Sequence, residues 1–169
     1  MPILPVLIGG SRGRIWPVEY DVVVEIARPE LVAAVPATTP LSDIPRTWKP
    51  ALDRVLAFLK GRSDLTPGHN LFLYHHPAHR REAMNIDFGV QVARPFEPEG
   101  DVRCIETPAG EVAKTVHVGP YDRLGDAHQA IHTWCAANNR KIAQASWETY
   151  GDWTEDPALL ETTIKYLLT

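Results

Sequence analysis

The run Ser146-Trp147-Glu148-Thr149-Tyr150 places a carboxylate among aromatic side chains, about 25 residues after His117-Val118-Gly119-Pro120-Tyr121. Burying that carboxylate is costly unless a cation, a polar network or a reaction uses it. In a strand, alternate side chains share a face, so Ser146, Glu148 and Tyr150 point one way and Trp147 and Thr149 the other. If Trp147 packs beneath a helix, Glu148 and Tyr150 face a groove. In such a groove the Glu148 pKa is expected to rise, suiting it to hold a cation or to act as a general base near neutral pH. In a catalytic reading, Tyr150 or Tyr121 donates a hydrogen bond to a carbonyl that gathers negative charge.

Other chemistries are less well served. His128, His132 and Cys135 fall within about a 60° helical sector, yet the apolar stripe centres near Ile131. Cys135 then belongs to the core and the two histidines to its solvent margin, so no metal site is expected. His75 and His76 are adjacent in a strand and point to opposite faces, and Pro77 ends it. No HExxH, P-loop or nucleophile-elbow pattern is present, and no cofactor is expected.

The elements that must position these residues follow a repeating order. Asp21–Ile26 and Leu31–Val35 read as strands about an Arg28-Pro29-Glu30 turn. Trp48, Leu52, Val55, Leu56 and Leu59 recur at helical spacing, with Pro50 placed in the first turn and Gly61 as the C-terminal cap. Strands over Leu71–His75 and Ile86–Val92 follow, joined by a basic loop. The second half repeats this: strands at 101–105 and 112–118 flank Pro108-Ala109-Gly110. A helix from about Asp122 follows, burying Leu124, Ala127, Ile131, Trp134 and Cys135 and stopping at Asn138-Asn139. Strands at Trp147–Tyr150 and Thr162–Leu168 complete it.

The chain is thus expected to be α+β: two duplicated βαββ units, 19–98 and 99–169, related by a pseudo-twofold axis in one domain, with residues 1–18 as an N-terminal arm. A ligand groove is expected between the halves. Aligning them sets Phe72 and Tyr74 against Glu148 and Tyr150, so the second half keeps one aromatic and replaces the other with a carboxylate. Tyr74, Phe72 and Phe88 are the first half's candidate wall residues. Tyr121 suits either a staple onto the helix or the groove wall, and Trp134 sits on the buried helical stripe.

Composition fits this picture. The content is 44% apolar and 22% charged, that of an ordinary globular chain without a membrane span. A net charge of −4 argues against nucleic acid as a partner. Two cysteines, Cys104 and Cys135, make no disulfide framework, so a reduced, cytoplasmic setting is expected. Oligomeric state is left open.

The run His117–Ala127, Trp134, the strand Trp147-Glu148-Thr149-Tyr150 and the ending Thr162-Thr163-Ile164-Lys165-Tyr166 resemble the GyrI-like small-molecule-binding superfamily. That superfamily includes effector-binding domains of AraC-type and MerR-type multidrug regulators. The match is specific over about residues 100–169 and architectural over 19–98. The resemblance implies a doubled βαββ fold with an aromatic-walled pocket for hydrophobic, aromatic or cationic drug-like molecules. It makes Glu148 the central acid, with Tyr150, Trp147, Tyr121 and Trp134 as wall or support. The last strand departs from the family's Thr-Glu-Ile pattern at Thr162-Thr163-Ile164, so a second acidic contact is missing. No helix-turn-helix occurs in the 169 residues, and a complete transcription factor is not expected. Standalone members include ligand scavengers, a gyrase-inhibitor type and hydrolases that open strained cyclopropanes. Two functions follow: binding of a small molecule, or hydrolysis with Glu148 activating water and Tyr150 assisting.

Overall fold

A computed structural model describes residues 19–79 and 81–169; the expected arm over 1–18, and Arg80 of the basic loop, lie outside the described residues. The chain runs β1 (Val23–Ala27), β2 (Leu31–Thr39), α1 (Ile44–Leu59), β3 (Asn70–His75), β4 (Met84–Gln91), β5 (Arg103–Glu106), β6 (Gly110–Val118), α2 (Leu124–Ala137), β7 (Ile142–Tyr150) and β8 (Glu161–Leu168). All strands join one antiparallel sheet in the order β1-β6-β8-β7-β3-β4-β2-β5. Exchanging β1–β4 for β5–β8 reverses this order into itself. Neither β1–β2 nor β5–β6 pairs as a hairpin across its turn. Each half instead lends its first strand to the other: β1 pairs with β6, and β5 with β2.

Short connections then dictate the sheet's shape. Only residues 28–30 join β1 to β2, although these strands stand six places apart in the sheet. A flat sheet would separate them by about 29 Å, whereas so few residues reach about 14 Å. The sheet must therefore curl until its margins approach. Residues 107–109 impose the same limit on β5 and β6. The two connections lock together, Glu30 N–H donating to Thr107 Oγ1 (2.9 Å) and Thr107 N–H to the Glu30 carbonyl (3.0 Å). Lys165 on β8 lies 3.8 Å from Glu30 beside β2, a contact that only a curled sheet permits.

Curling gives the sheet two unlike faces. Inside, Val32, Ala34, Leu71, Leu73, Val112 and Trp147 pack against one another, with no helix among the described residues in that cluster. Outside, α1 packs on Val35, Phe72, Ile86 and Phe88, and α2 on Ala113, Ile164 and Tyr166. Gly89 of β4 faces inward, where a Cβ would lie 2.5 Å from the Ala33 carbonyl oxygen and from Val32 Cγ1. Glycine is needed there for closeness.

Helix boundaries depart from the expected ones in two places. The helix α1 begins a turn earlier, with Pro45 in its first turn, so Pro50 lies inside it. Pro50 and Arg46 are both exposed, so the carbonyl that loses its partner faces solvent. Gly61 is not a left-handed cap, whereas Asn139, at φ 52°, is left-handed just past α2. No helix among the described residues is long and apolar enough to cross a membrane.

Gly89→Ala should lower the stability of the fold by about 1–3 kcal/mol through overpacking. The shift in urea midpoint measures it; an unchanged midpoint would refute the close approach of β2 to β4.

Candidate functional site

The registers of the sheet locate its centre. Ala33 beneath α1 and Ala113 beneath α2 stand 80 residues apart, as do the helix starts Ile44 and Leu124. Their strand partners, Val90 and Tyr166, are 76 apart. The next partners inward, Asn70 and Ser146, are again 76 apart. By the same spacing Phe72 corresponds to Glu148 and Tyr74 to Tyr150. Phe72 and Glu148 are also direct cross-strand neighbours where β3 meets β7. The operation that exchanges the halves thus leaves this pair in place, and the one position where a phenylalanine answers a carboxylate lies on the axis.

Glu148 is 5% exposed and faces the outer side, in the cleft between the helices. Tyr74 Oη donates to its Oε2 at 2.7 Å and Tyr150 Oη to the same oxygen at 2.5 Å. On the other side, His128 Nε2 lies 2.7 Å from Oε1. The two tyrosines are counterparts, one from each half. So are Trp48 and His128, 80 residues apart on the two helices: Trp48 lies over Phe72, with ring centres 6.3 Å apart, as His128 lies over Glu148.

Burial pushes the Glu148 carboxyl up, but the hydrogen bond and charge of His128, with the Tyr150 and Tyr74 hydroxyls, outweigh it. The carboxyl ends below its ordinary value, which corrects the expected rise. Burial, then the Glu148 charge, holds Tyr74 and Tyr150 well above the usual phenol range, so both remain donors. Beyond them the network extends through Tyr166, whose hydroxyl meets His128 Nδ1 at 2.8 Å and whose pKa is pushed up to about 12 by burial and Glu148. His76 stacks on Tyr166 and contacts Ser146 Oγ at 2.6 Å. Burial and neighbouring histidines lower the His76 pKa.

Aromatic rings floor and flank the cleft. Tyr150 packs on Phe72 with centroids 5.0 Å apart, and Tyr121 meets Tyr150 edge-on at 5.4 Å. Trp48 and Tyr121 are the exposed ends of this row, at 37% and 41%. Tyr121 thus packs on Tyr150 at the exposed end of the row.

Three candidates fall elsewhere. Trp147 is fully buried, but in the helix-free inner core: it points away from Glu148, because strand parity separates them. Trp134 packs at the margin of the α2 core, about 120° around the helix from His128. Phe88 is wholly buried behind Phe72, in edge contact at 4.9 Å, one layer beneath the cleft.

Sequence reasoning missed the roles of Trp48, His128, Tyr166 and His76. The solvent margin on which helical spacing sets His128 is the edge that faces Glu148. Among the described residues no cluster of histidine, cysteine or acidic side chains is arranged for a metal. A separate cleft of about 340 Å³, lined by Pro29, Glu30, Leu31, Gln91, Val92 and Ala93, touches none of these residues.

Known proteins share this fold. The sequence model of the GyrI-like small molecule binding domain matches residues 22–166. The crystal structure of the EcmrR C-terminal domain superposes with a TM-score of 0.73 at 22% identity, covering 89% of this chain and 98% of that one. In the EcmrR–DNA complex, also at a TM-score of 0.73 and 22% identity, 88% of this chain is covered, and the match spans only 57% of the EcmrR chain. SAV2435 bound to tetraphenylphosphonium matches at a TM-score of 0.66 and 13% identity, over 88% of this chain and 94% of that one. A hydrolase encoded by lin2189 from Listeria innocua matches at a TM-score of 0.61 and 10% identity, over 88% and 91%. Nothing among the curated proteins matches the chain.

Tyr74→Phe removes one donor to a charged acceptor and should cost about 1.5–3 kcal/mol. Because the folded-state pKa of Glu148 lies below its ordinary 4.5, its contribution is present above that value and lost as pH falls through the folded one. With a donor gone the folded pKa moves up, so the acid limb of a stability–pH profile should begin at higher pH. An unmoved acid limb in urea titrations would contradict the network.

Proposed function

The chain belongs to the family of GyrI-like small molecule binding domains, and from that premise we propose that it captures hydrophobic, aromatic, cationic small molecules in the cleft between α1 and α2. One observation carries the reading: an ionised, buried carboxylate stands beside a row of aromatic rings, next to Phe72 across the strands and bonded to the Tyr150 hydroxyl. Trp48, Phe72, Tyr150 and Tyr121 supply faces for stacking and cation–π contact, while Glu148 supplies the charge preference. Tyr74, Tyr150 and His128 occupy three of the roughly four acceptor positions of a carboxylate. A ligand ammonium would find little acceptor capacity left, but a quaternary or delocalised cation asks for field rather than a lone pair. That SAV2435, a structural neighbour, is bound to tetraphenylphosphonium is consistent with such a ligand.

Hydrolysis of strained cyclopropanes in the same cleft is the competing reading. It requires Glu148 to take a proton from water, for which a pKa near neutrality and a free oxygen are best. Glu148 has a lowered pKa and three of its roughly four acceptor positions taken, which supports binding over base catalysis.

Tetraphenylphosphonium should bind saturably in calorimetry, and Glu148→Gln should weaken it by about 10–100-fold. Trp48→Ala should weaken it by a smaller factor. Equal affinity in Glu148→Gln would remove Glu148 from the site. Mass spectrometry of cyclopropane electrophiles incubated with the protein should show no turnover; product formation abolished by Glu148→Gln would favour the hydrolase.

A further inference from the structure

His128 is the helix residue that answers Trp48, and it closes the polar half of the cleft over Glu148. Its Nε2 lies 2.7 Å from Glu148 Oε1 and its Nδ1 2.8 Å from Tyr166 Oη, so both ring nitrogens are engaged. Two protonation states satisfy those contacts. An imidazolium donates from both nitrogens, to Glu148 and to the Tyr166 oxygen. A neutral ring donates from Nε2 to Glu148 and accepts at Nδ1 from the Tyr166 hydroxyl. The geometry is the same in both. Only the charge of the site differs: balanced with the imidazolium, one negative charge with the neutral ring.

Resting on the cation-binding reading above, we propose that His128 determines the charge preference of the cleft, acting as an internal cation that a cationic ligand must discharge. The balance is simple. Before binding, the Glu148 carboxylate is matched by the imidazolium; afterwards it is matched by the ligand, and one proton has left His128 for solvent. The side chain of His128 is 25% exposed, against 6% for Glu148, so the proton has a way out. Losing it breaks no hydrogen bond. A cation entering against the imidazolium would instead add an unbalanced positive charge at a poorly hydrated site.

The surrounding groups set the sense of the effect. Glu148 and Tyr150 face His128 from β7, Tyr166 from β8 and Tyr74 from β3. His76, stacked on Tyr166, and His132, edge-on to it, stand beyond it. The tyrosines stay protonated and Glu148 stays ionised across the neutral range. His76 resists charging, because burial and the neighbouring histidines lower its pKa. The proton that exchanges with the ligand is therefore assigned to His128. Neutral aromatic ligands gain nothing from this exchange.

Calorimetry with tetraphenylphosphonium from pH 5.5 to 8.5, in buffers of differing ionisation enthalpy, tests the proposal on the wild-type chain. Affinity should rise with pH, by at most about tenfold per unit, with up to one proton released per cation bound. His128→Gln keeps a neutral donor to Glu148, and should flatten the profile, abolish proton release and bind more tightly than wild type at pH 5.5. Binding independent of pH and without proton release would overturn the role of His128 while leaving cation binding intact. The same slope in His128→Gln would overturn it too. No tetraphenylphosphonium binding at any pH would overturn both readings.

Discussion

Two connections of three residues each, 28–30 and 107–109, constrain everything else in this fold. Each spans strands that lie six places apart in the sheet, so the sheet must curl to let them reach. Curling has two consequences. The concave side becomes a closed apolar core that needs no helix, with Trp147 at its middle. The helices are left to the outer side, one over each flank, and the central strands β3 and β7 form the floor of the cleft between them. A cleft at that place follows from the chain's economy of linkers.

The centre of that floor is where the halves differ. Around it the parts correspond: Tyr74 with Tyr150, the helix residue Trp48 with His128, and β3 with β7. At the centre Phe72 meets Glu148. The substitution changes the solvation problem rather than the shape. A phenylalanine beneath Trp48 needs only contact. A carboxylate beneath His128 needs donors, and it draws them from both halves, a tyrosine each and the histidine. The shared shell ties the halves together across their axis, because leaving a buried charge without its donors costs several kcal/mol, roughly.

That shell also defines what the cleft can recognise. With most of its acceptor positions occupied, the carboxylate acts on a ligand mainly through its field, and the ring of Tyr150, which donates to it, meets Tyr121 edge-on. Field and ring faces together suit bulky cations with spread charge. The same occupancy, with the lowered pKa, makes Glu148 a poor proton acceptor. Recognition and catalysis ask opposite things of this carboxylate.

Much of this was legible in the chain. The β-branched runs, the apolar helical stripes and the repeat at about 80 residues placed the strands, both helices and the correspondence of Phe72 and Tyr74 with Glu148 and Tyr150. Alternation alone separated Glu148 from Trp147, and the cost of burying a carboxylate singled it out. What local pattern left open was partnership. The turns at 28–30 and 108–110 were legible, but sequence proximity cannot reveal that β1 and β5 are exchanged between the halves. The apolar side chain of Trp147 shows that it is buried, not against what. The direction of the Glu148 pKa depended on donors 20 and 74 residues away, at His128 and Tyr74. The sequence thus determined which residues are costly to bury and which face of their element they occupy, since those follow from local chemistry and backbone period. Only the tertiary structure decided which partners offset that cost, because charge and hydrogen bonding act through distance in space, which the fold alone sets.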